Sequence, residues 1–557
     1  MARKSKLIFL LLSIIIARCA NQLPPGGGEV DKVSPQILEV FPLNGAINYK
    51  GDYFEITFSE YVEKRSAQEA IFISPPIGKG VEYDWSGRTL SVYFKDTLKE
   101  NTTYTITIGA DVADLNNHNK MEEPFTFAFS TGSQVDNGTI AGKVYDDEPV
   151  GVMVFAYKHL NDEPDPTNQK PDYISQVGKN GKYTLLGLGL GKYDLFAFKD
   201  RLRDFKYARN EDEYGVQFKE IILSTEKNKI ENVDFFLTIE DTLPPSISNV
   251  RMNDANHLLV EFTEPVDSSK ISVSNFYIYD STAQKQRVPK YFFKGSARDK
   301  QFFIGIADSL IPQNNYYLVS EKIIDRSGNL SGREETQFSV KTEKDTVVPS
   351  VSKIIGQYQE NKIDYDEPVV TVKFDDGVEL NDIEKKIVVE DSKKIFVPFD
   401  VKRKDDAEFD IRIGTNLKQK TDYELKIDLR DIKDASGNKR DTVYESKFTT
   451  ASELDFSGVS GNVVNSEDSA NTFVVLKSVP PEKNIYKQKV KSNKTFSMKK
   501  IVPGKYLLWS FIDSNNDSVY SYGSVKPFKQ AEKFTFYPDT LNLRARWPVG
   551  EIILNQD

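Results

Sequence analysis

Asp513, Asn515 and Asp517 set side-chain oxygens at alternate positions of a short polar loop, the spacing with which a loop begins to wrap a calcium ion. The second half of such a loop is missing. Ser518 stands where the turn requires glycine, and Ser524 stands where a bidentate glutamate would close the shell. A polar hairpin loop held by Asx turns is the preferred reading, with calcium as the alternative. In the matching loop Asp200-Arg201-Leu202-Arg203-Asp204, Arg203 sets a cation beside the would-be ligands. Other chemistry has fewer parts. His118, His159 and His257 are the three histidines; they stand far apart in sequence and share no HxxH spacing, so zinc lacks ligands and His-based nucleophilic catalysis lacks a base. Carboxylate pairs are frequent, but none is marked by its setting as a glycosidase pair. The chain therefore reads as no enzyme, with no cofactor expected beyond the calcium alternative.

Glu60, Glu264 and Asp376 raise a second question, because each closes a copy of one stretch: Ile56-Thr57-Phe58-Ser59-Glu60-Tyr61-Val62, Val260-Glu261-Phe262-Thr263-Glu264-Pro265-Val266 and Val372-Lys373-Phe374-Asp375-Asp376-Gly377-Val378. Alternation of apolar and polar residues marks a half-buried strand and puts the acid on its apolar face. Two readings compete for that acid. It caps backbone N–H groups where the strand bends, or it bridges to the next unit through calcium with oxygens from the Asp-x-x-Gly-Asn turns. Capping is preferred, since a motif internal to each copy is best explained by that copy's own fold.

The elements that carry these residues are strands. The 557-residue chain is rich in Phe and Tyr and has no Ala-rich or Leu-rich helical runs, so several β domains are expected. Its net charge of −10 gives no general case for nucleic-acid binding. Arg3, Lys4 and Lys6 followed by the apolar run Leu7 to Ala17 predict a signal peptide over residues 1–18. Cys19 is the single cysteine, unable to form an intramolecular disulfide, and reads as an attachment point. The segment resembles the signal of bacterial lipoproteins, which implies lipidation of Cys19, although Arg18 departs from the small residue usual at that position. Residues 19–33, with Pro24-Pro25-Gly26-Gly27-Gly28, read as a tether.

Five domains follow in an all-β string of antiparallel β-sandwiches: 34–132, 136–238, 241–342, 345–450 and 455–557. The first, third and fourth share the founding stretch, a Tyr-led strand (Tyr104, Tyr316, Tyr423) and the turns at Asp114, Asp325 and Asp434. Asp241-Thr242-Leu243-Pro244-Pro245 and Asp345-Thr346-Val347-Val348-Pro349 open the later two as rigid starts. These segments resemble the bacterial Ig-like domain of surface-layer proteins. The second and fifth align without gaps, Gly191-Lys192-Tyr193 on Gly504-Lys505-Tyr506, and resemble transthyretin-like, carboxypeptidase-regulatory-like domains. The whole is similar to Bacteroidota lipoproteins.

Nine Asp-Ser/Thr triplets, against about two expected by composition, resemble the O-glycosylation acceptor of Bacteroidota envelope proteins. The resemblance implies glycans on Thr97, Thr242, Ser281, Ser309, Thr346, Thr442, Ser469, Ser518 and Thr540. Turn chemistry at strand starts accounts for the same triplet. The expected function is that of a non-enzymatic cell-envelope lipoprotein on the outer membrane, its membrane face open. It is expected to be a semi-rigid β-sandwich rod, held by a lipid anchor and presenting loops to a protein or glycan partner. Two alternatives stand beside it: a carbohydrate-binding adhesin using Trp85, Trp509 or Trp547 as stacking platforms, and an accessory subunit of an envelope secretion or uptake complex.

Overall fold

The computed structural model describes residues 31–556 apart from 160–162, 296, 359–360, 380, 415 and 466–470. Cys19, the signal segment, most of the tether and Ser469 lie outside the described residues. Strands dominate the described chain, and the α-helix Lys64–Glu69 is a short exception. Among the described residues no helix is long and apolar enough to cross a membrane.

The founding stretches form the strands Tyr53–Phe58, His257–Phe262 and Val369–Phe374. Their alternation is realised as burial: Phe54, Ile56 and Phe58 are fully covered, as are Leu258 and Val260 in the second copy and Val372 in the third. Each strand is the second in its four-stranded sheet, with the preceding strand (Ile37–Phe41, Ile247–Met252 or Val351–Gly356) on one side and Thr89–Phe94, Gln301–Gly305 or Glu408–Ile413 on the other. All three preceding strands carry the same irregularity, opposite Phe58, Phe262 and Phe374, where an extra residue shifts the register. Such a bulge bends the strand and redirects the side chains beside it, here immediately before Glu60, Glu264 and Asp376. A second sheet closes each sandwich through Thr103–Ile108, Tyr316–Ser320 or Asp422–Asp428. The leading tyrosines of these strands tie the sandwich edge, since Tyr104, Tyr316 and Tyr423 hydroxyls accept from the N–H groups of Lys99, Ile311 and Lys418 at 2.9, 3.1 and 3.2 Å.

The second and fifth sandwiches share one strand order, with an extra edge strand, Thr238–Ile239, in the second. Gly191–Lys199 and Gly504–Ile512 are central, and Tyr193 and Tyr506 donate to carbonyls four residues back, Gly189 and Val502, both at 2.7 Å. Their sheets are not wholly antiparallel. Gly138–Tyr145 pairs in parallel with Lys229–Ile230 and Phe235–Phe236, and Ser457–Val464 pairs in parallel with Val549–Asn555. The first strand of each unit meets these late strands only after the chain between them has crossed the sandwich, so no local turn signal announces the pairing.

By contact density the chain divides into two compact units: residues up to Ile239 with Tyr522–Ala531, and Glu240–Ser521 with Glu532–Asp557. The stretch 522–531, expected within the last domain, thus counts with the first unit, where Val525 and Phe528 join the cluster of Phe155, Phe196 and Phe198. Inside the second unit, Lys500 Nζ reaches Asp364 at 3.0 and 3.2 Å and Asp366 at 3.0 Å, and lies over the Tyr365 ring at 4.6 Å. Asp364 is buried, and losing its cation would leave a desolvated charge. Lys500→Met is expected to destabilise this unit by about 2 kcal/mol and to expose the 451–456 connection to limited proteolysis. An unchanged melting curve and digestion pattern would show that the fourth and fifth sandwiches meet without help from the ion pair.

Candidate functional site

Each Ig-type linker is held in the same way. The turn after the Tyr-led strand ends in an asparagine whose side-chain amide donates to the backbone carbonyl of the linker aspartate: Asn119 to Asp31 at 3.0 Å, Asn329 to Asp241 at 3.0 Å and Asn438 to Asp345 at 3.3 Å. The aspartate that opens the turn is buried in all three copies and accepts the backbone N–H of that same asparagine. The distances are 2.8 Å for Asp114, Asp325 and Asp434 alike. Short bridges at Val62–Asp114, Val266–Asp325 and Val378–Asp434 then bring the turn against the end of the founding strand.

For Glu60 and Glu264 this geometry assigns the capping role to other residues than those expected from sequence, while Asp376 keeps part of it. Backbone N–H groups are taken up by the turn aspartates, while no backbone bond to the Glu60 or Glu264 carboxylates occurs among the described residues. Asp376 accepts the N–H of Gly377 at 2.6 Å. Glu60 and Glu264 instead face the other carboxylates of their copies. Asp241, Glu264 and Asp325 offer oxygens all within 4.8 Å of one another. Burial, then the charges of Asp241 and Asp325, push the Glu264 carboxyl up to about 7. Burial and the charges of Asp114 and Asp31 push Glu60 upward as well.

The third copy gains a different partner. His257, at the start of the preceding sandwich's founding strand, places Nε2 3.0 Å from Asp376 Oδ1, while its Nδ1 lies 2.9 and 3.0 Å from the two oxygens of Asp254. His257, Asp345 and Asp376 offer ligand-type atoms within 4.8 Å of one another. Separation along the chain gave no sign of this grouping; folding brings one histidine beside Asp345 and Asp376 of the next sandwich. The join is built on packing. Tyr291 and Phe293 of the third sandwich lie in the same apolar cluster as Val378, Phe409 and Ala435 of the fourth. Asp406 Oδ2 accepts the Phe292 N–H at 2.6 Å. Gly377 stands where the other copies have Tyr61 and Pro265, and a Cβ there would lie 2.7 Å from the Phe293 ring. A cavity of about 170 Å³ beside the cluster is lined by Asp254, His257, Phe293, Phe303, Val347 and Asp376. Burial pulls the His257 imidazolium down, yet its hydrogen bonds to Asp254 and Asp376 carry its pKa up to about 10.

The other sequence-derived residues fall elsewhere. Asp513 accepts the N–H groups of Asp517 at 3.2 Å and Ser518 at 2.9 Å, and Asp517 accepts the Asn515 amide at 2.9 Å and the Val519 N–H at 2.6 Å. Much of the oxygen array considered for calcium is thus engaged by its own loop, and Asp200 does the same for Arg203 and Phe205. Thr97, Thr242, Ser309, Thr346, Thr442 and Thr540 are exposed, and Ser281 and Ser518 half-buried. Trp509 is buried, Trp85 stacks on Phe58, and Trp547 is 72% exposed.

Two segments match the bacterial Ig-like domain: residues 31–131 and 345–450. Both begin on the linker aspartate of their copy, so the latch lies inside the matched unit. A search of curated proteins returns no match. Among solved structures the chain is similar to the N-terminal part of the bacterial S-layer protein SbsC, at 16% identity over 38% of this chain and 45% of that one (TM-score 0.17). It is also similar to domains 1–6 of SbsC, at 13% identity over 87% of this chain and 62% of that one (TM-score 0.14). It spans less than two thirds of either. Immunoglobulin domains 1–4 of Sidekick-1 align at 9% identity over 68% of this chain and 91% of that one (TM-score 0.19).

The crowding at Glu264 has a pH signature. A carboxyl whose folded-state pKa lies above its unfolded value holds its proton more tightly in the folded chain. Its contribution to stability is therefore full below the unfolded value of 4.5 and is lost as pH rises through about 7. Glu264→Gln is expected to raise the melting temperature at about pH 8 and to change it little at about pH 5. A fall at the higher pH would contradict charge crowding at this cluster.

Proposed function

We propose that this chain is a non-enzymatic cell-envelope lipoprotein, a string of Ig-like and transthyretin-like sandwiches that presents loops to a protein or glycan partner. The observation that supports it most directly is the repeated latch: in three sandwiches, two of them in the matched segments, an asparagine side chain holds the linker to the sandwich, which is architectural work. Loops carried on such a scaffold are free to vary without disturbing the core. The lipid anchor on Cys19 and the outer-membrane location belong to this reading. So does O-glycosylation of the Asp-Ser/Thr triplets, supported by the exposure of Thr97, Thr242, Ser309, Thr346, Thr442 and Thr540. Intact mass of the protein extracted from its native envelope tests both modifications. A mass of the mature polypeptide plus acyl chains and glycan increments is expected, and bare polypeptide would remove both.

The carbohydrate-binding reading is favoured by one observation, the exposed indole of Trp547. Its carbonyl is held by Ser457 Oγ at 2.9 Å, so the tryptophan sits on an anchored turn. Stacking on a sugar face would contribute about 1 kcal/mol, or roughly fivefold in affinity. Glycan-array binding that falls by that factor in Trp547→Ala, at unchanged melting temperature, would establish a glycan partner. An empty array together with a protein crosslinked to the chain in intact cells would establish a protein partner or an envelope complex.

A further inference from the structure

We propose that His257, Asp345 and Asp376 bind a divalent metal ion of the zinc and manganese class, so that the ion joins the third sandwich, the linker and the start of the fourth. Four observations converge on this site. The donor set is mixed, one imidazole nitrogen with carboxylate oxygens, which suits zinc or manganese; calcium and magnesium take shells of oxygen. The three donor atoms lie within 4.8 Å of one another. Metal–ligand bonds of about 2 Å put neighbouring ligands roughly 3–4 Å apart, so modest side-chain adjustment closes the shell.

The imidazole is already oriented for the task. Asp254 grips Nδ1 at 2.9 and 3.0 Å and leaves Nε2 directed at Asp376, so an ion bound at Nε2 replaces the proton that Nε2 shares with Asp376 and releases it to solvent. A carboxylate behind a histidine in this way sets its tautomer and raises its basicity toward a metal. Asp254 sits three residues before His257, and its Oδ1 also accepts the His257 N–H at 2.9 Å, which fixes the ring and its orienting group as one turn.

The negative charge of the cluster is also incompletely balanced. Asp434 is fully buried, and its Oδ2 has no hydrogen-bond partner among the described residues. Its other oxygen is held by the Asn438 N–H, and the Asn438 amide in turn holds Asp345 Oδ2 at 3.1 Å. Asp434 therefore shares its turn with a proposed ligand, and the charges of Asp376 and Asp345 bear on it. A buried oxygen without a donor costs free energy, and a cation held by its neighbours would offset that cost. Among the described residues no histidine is gathered with the carboxylates at Glu60 or Glu264 and neither Asp114 nor Asp325 has an orphaned buried oxygen, so the proposal does not extend to those clusters.

The test uses the full chain, stripped with chelator and then dialysed against zinc or manganese. One zinc retained per chain and a rise in melting temperature with added zinc are expected. Asp254→Asn should weaken zinc binding by roughly 10- to 100-fold, as loss of an outer carboxylate does elsewhere, and His257→Gln should weaken it further. Since either variant could disturb the junction, the wild-type chain gives a second readout. Nitrogen hyperfine coupling in the EPR spectrum of the manganese-loaded protein would show the imidazole on the metal. Failure of the wild-type chain to retain zinc or manganese would overturn the proposal. Retention that survives His257→Gln without nitrogen coupling would overturn it too, since the ion would then sit elsewhere. Equal stabilisation by calcium, abolished by Glu264→Gln, would place binding in the all-carboxylate cluster and also count against it.

Discussion

The interaction on which the domain starts depend is an amide-to-carbonyl hydrogen bond between a turn and a linker. Asn119, Asn329 and Asn438 each close a turn on a buried aspartate and use the side-chain amide to hold the backbone of the residue that leads into the sandwich. A linker free to rotate would leave the first strand without a defined starting direction. Once its carbonyl is held, the bulged first strand meets the founding strand in a single register, and the end of the founding strand is brought against the turn. Crowding of carboxylates follows from the same closure. A latch that joins a linker aspartate, a strand-end acid and a turn aspartate in a few ångströms gathers negative charge whether or not any ligand is involved.

Three copies of one architecture then diverge in their chemistry. At Glu264 the crowding falls on one carboxyl, which is held far above its ordinary range. At Glu60 the linker aspartate is Asp31 and the effect has the same direction. At Asp376 an imidazole enters from the preceding sandwich. The difference traces to packing: Phe293 fills the space over Gly377, and Tyr291 lies against the fourth sandwich's core, so the two bodies approach closely enough for His257 to reach across. Ligand-type side chains and architecture share this junction. The side chains that hold the sandwiches together there are the ones with ligand chemistry, whereas Trp547 and the Asp-Ser/Thr triplets lie on surfaces that the core does not use.

Much of this was legible in the residues themselves. Alternation at Phe54, Ile56 and Phe58 is a local property, because a strand exposes every second residue to one face wherever it lies; the founding strands and their repeats could be read directly. The Asp-x-x-Gly-Asn turns carry their conformation in their own composition, with Gly328 and Gly437 at positive φ. Less legible was what the strand acids face. Sequence spacing cannot say whether a carboxylate at a strand end meets backbone N–H groups or other carboxylates: Asp376 accepts one such N–H, whereas beside Glu60 and Glu264 the capping is done by Asp114 and Asp325. The parallel pairing of the first strand with late strands in the second and fifth sandwiches was hidden for the same reason.

What the sequence by itself determined is therefore the all-β character of the chain and its repeated founding strands, since periodicity, turn residues and repeats act over a few residues and need no distant partner. Only the tertiary structure decided that His257 and Asp254 meet Asp345 and Asp376. These residues are separated by roughly a domain's length of chain and carry no common spacing. They come together because apolar burial at Tyr291 and Phe293 fixes the angle between two sandwiches, a constraint that exists only when both are folded.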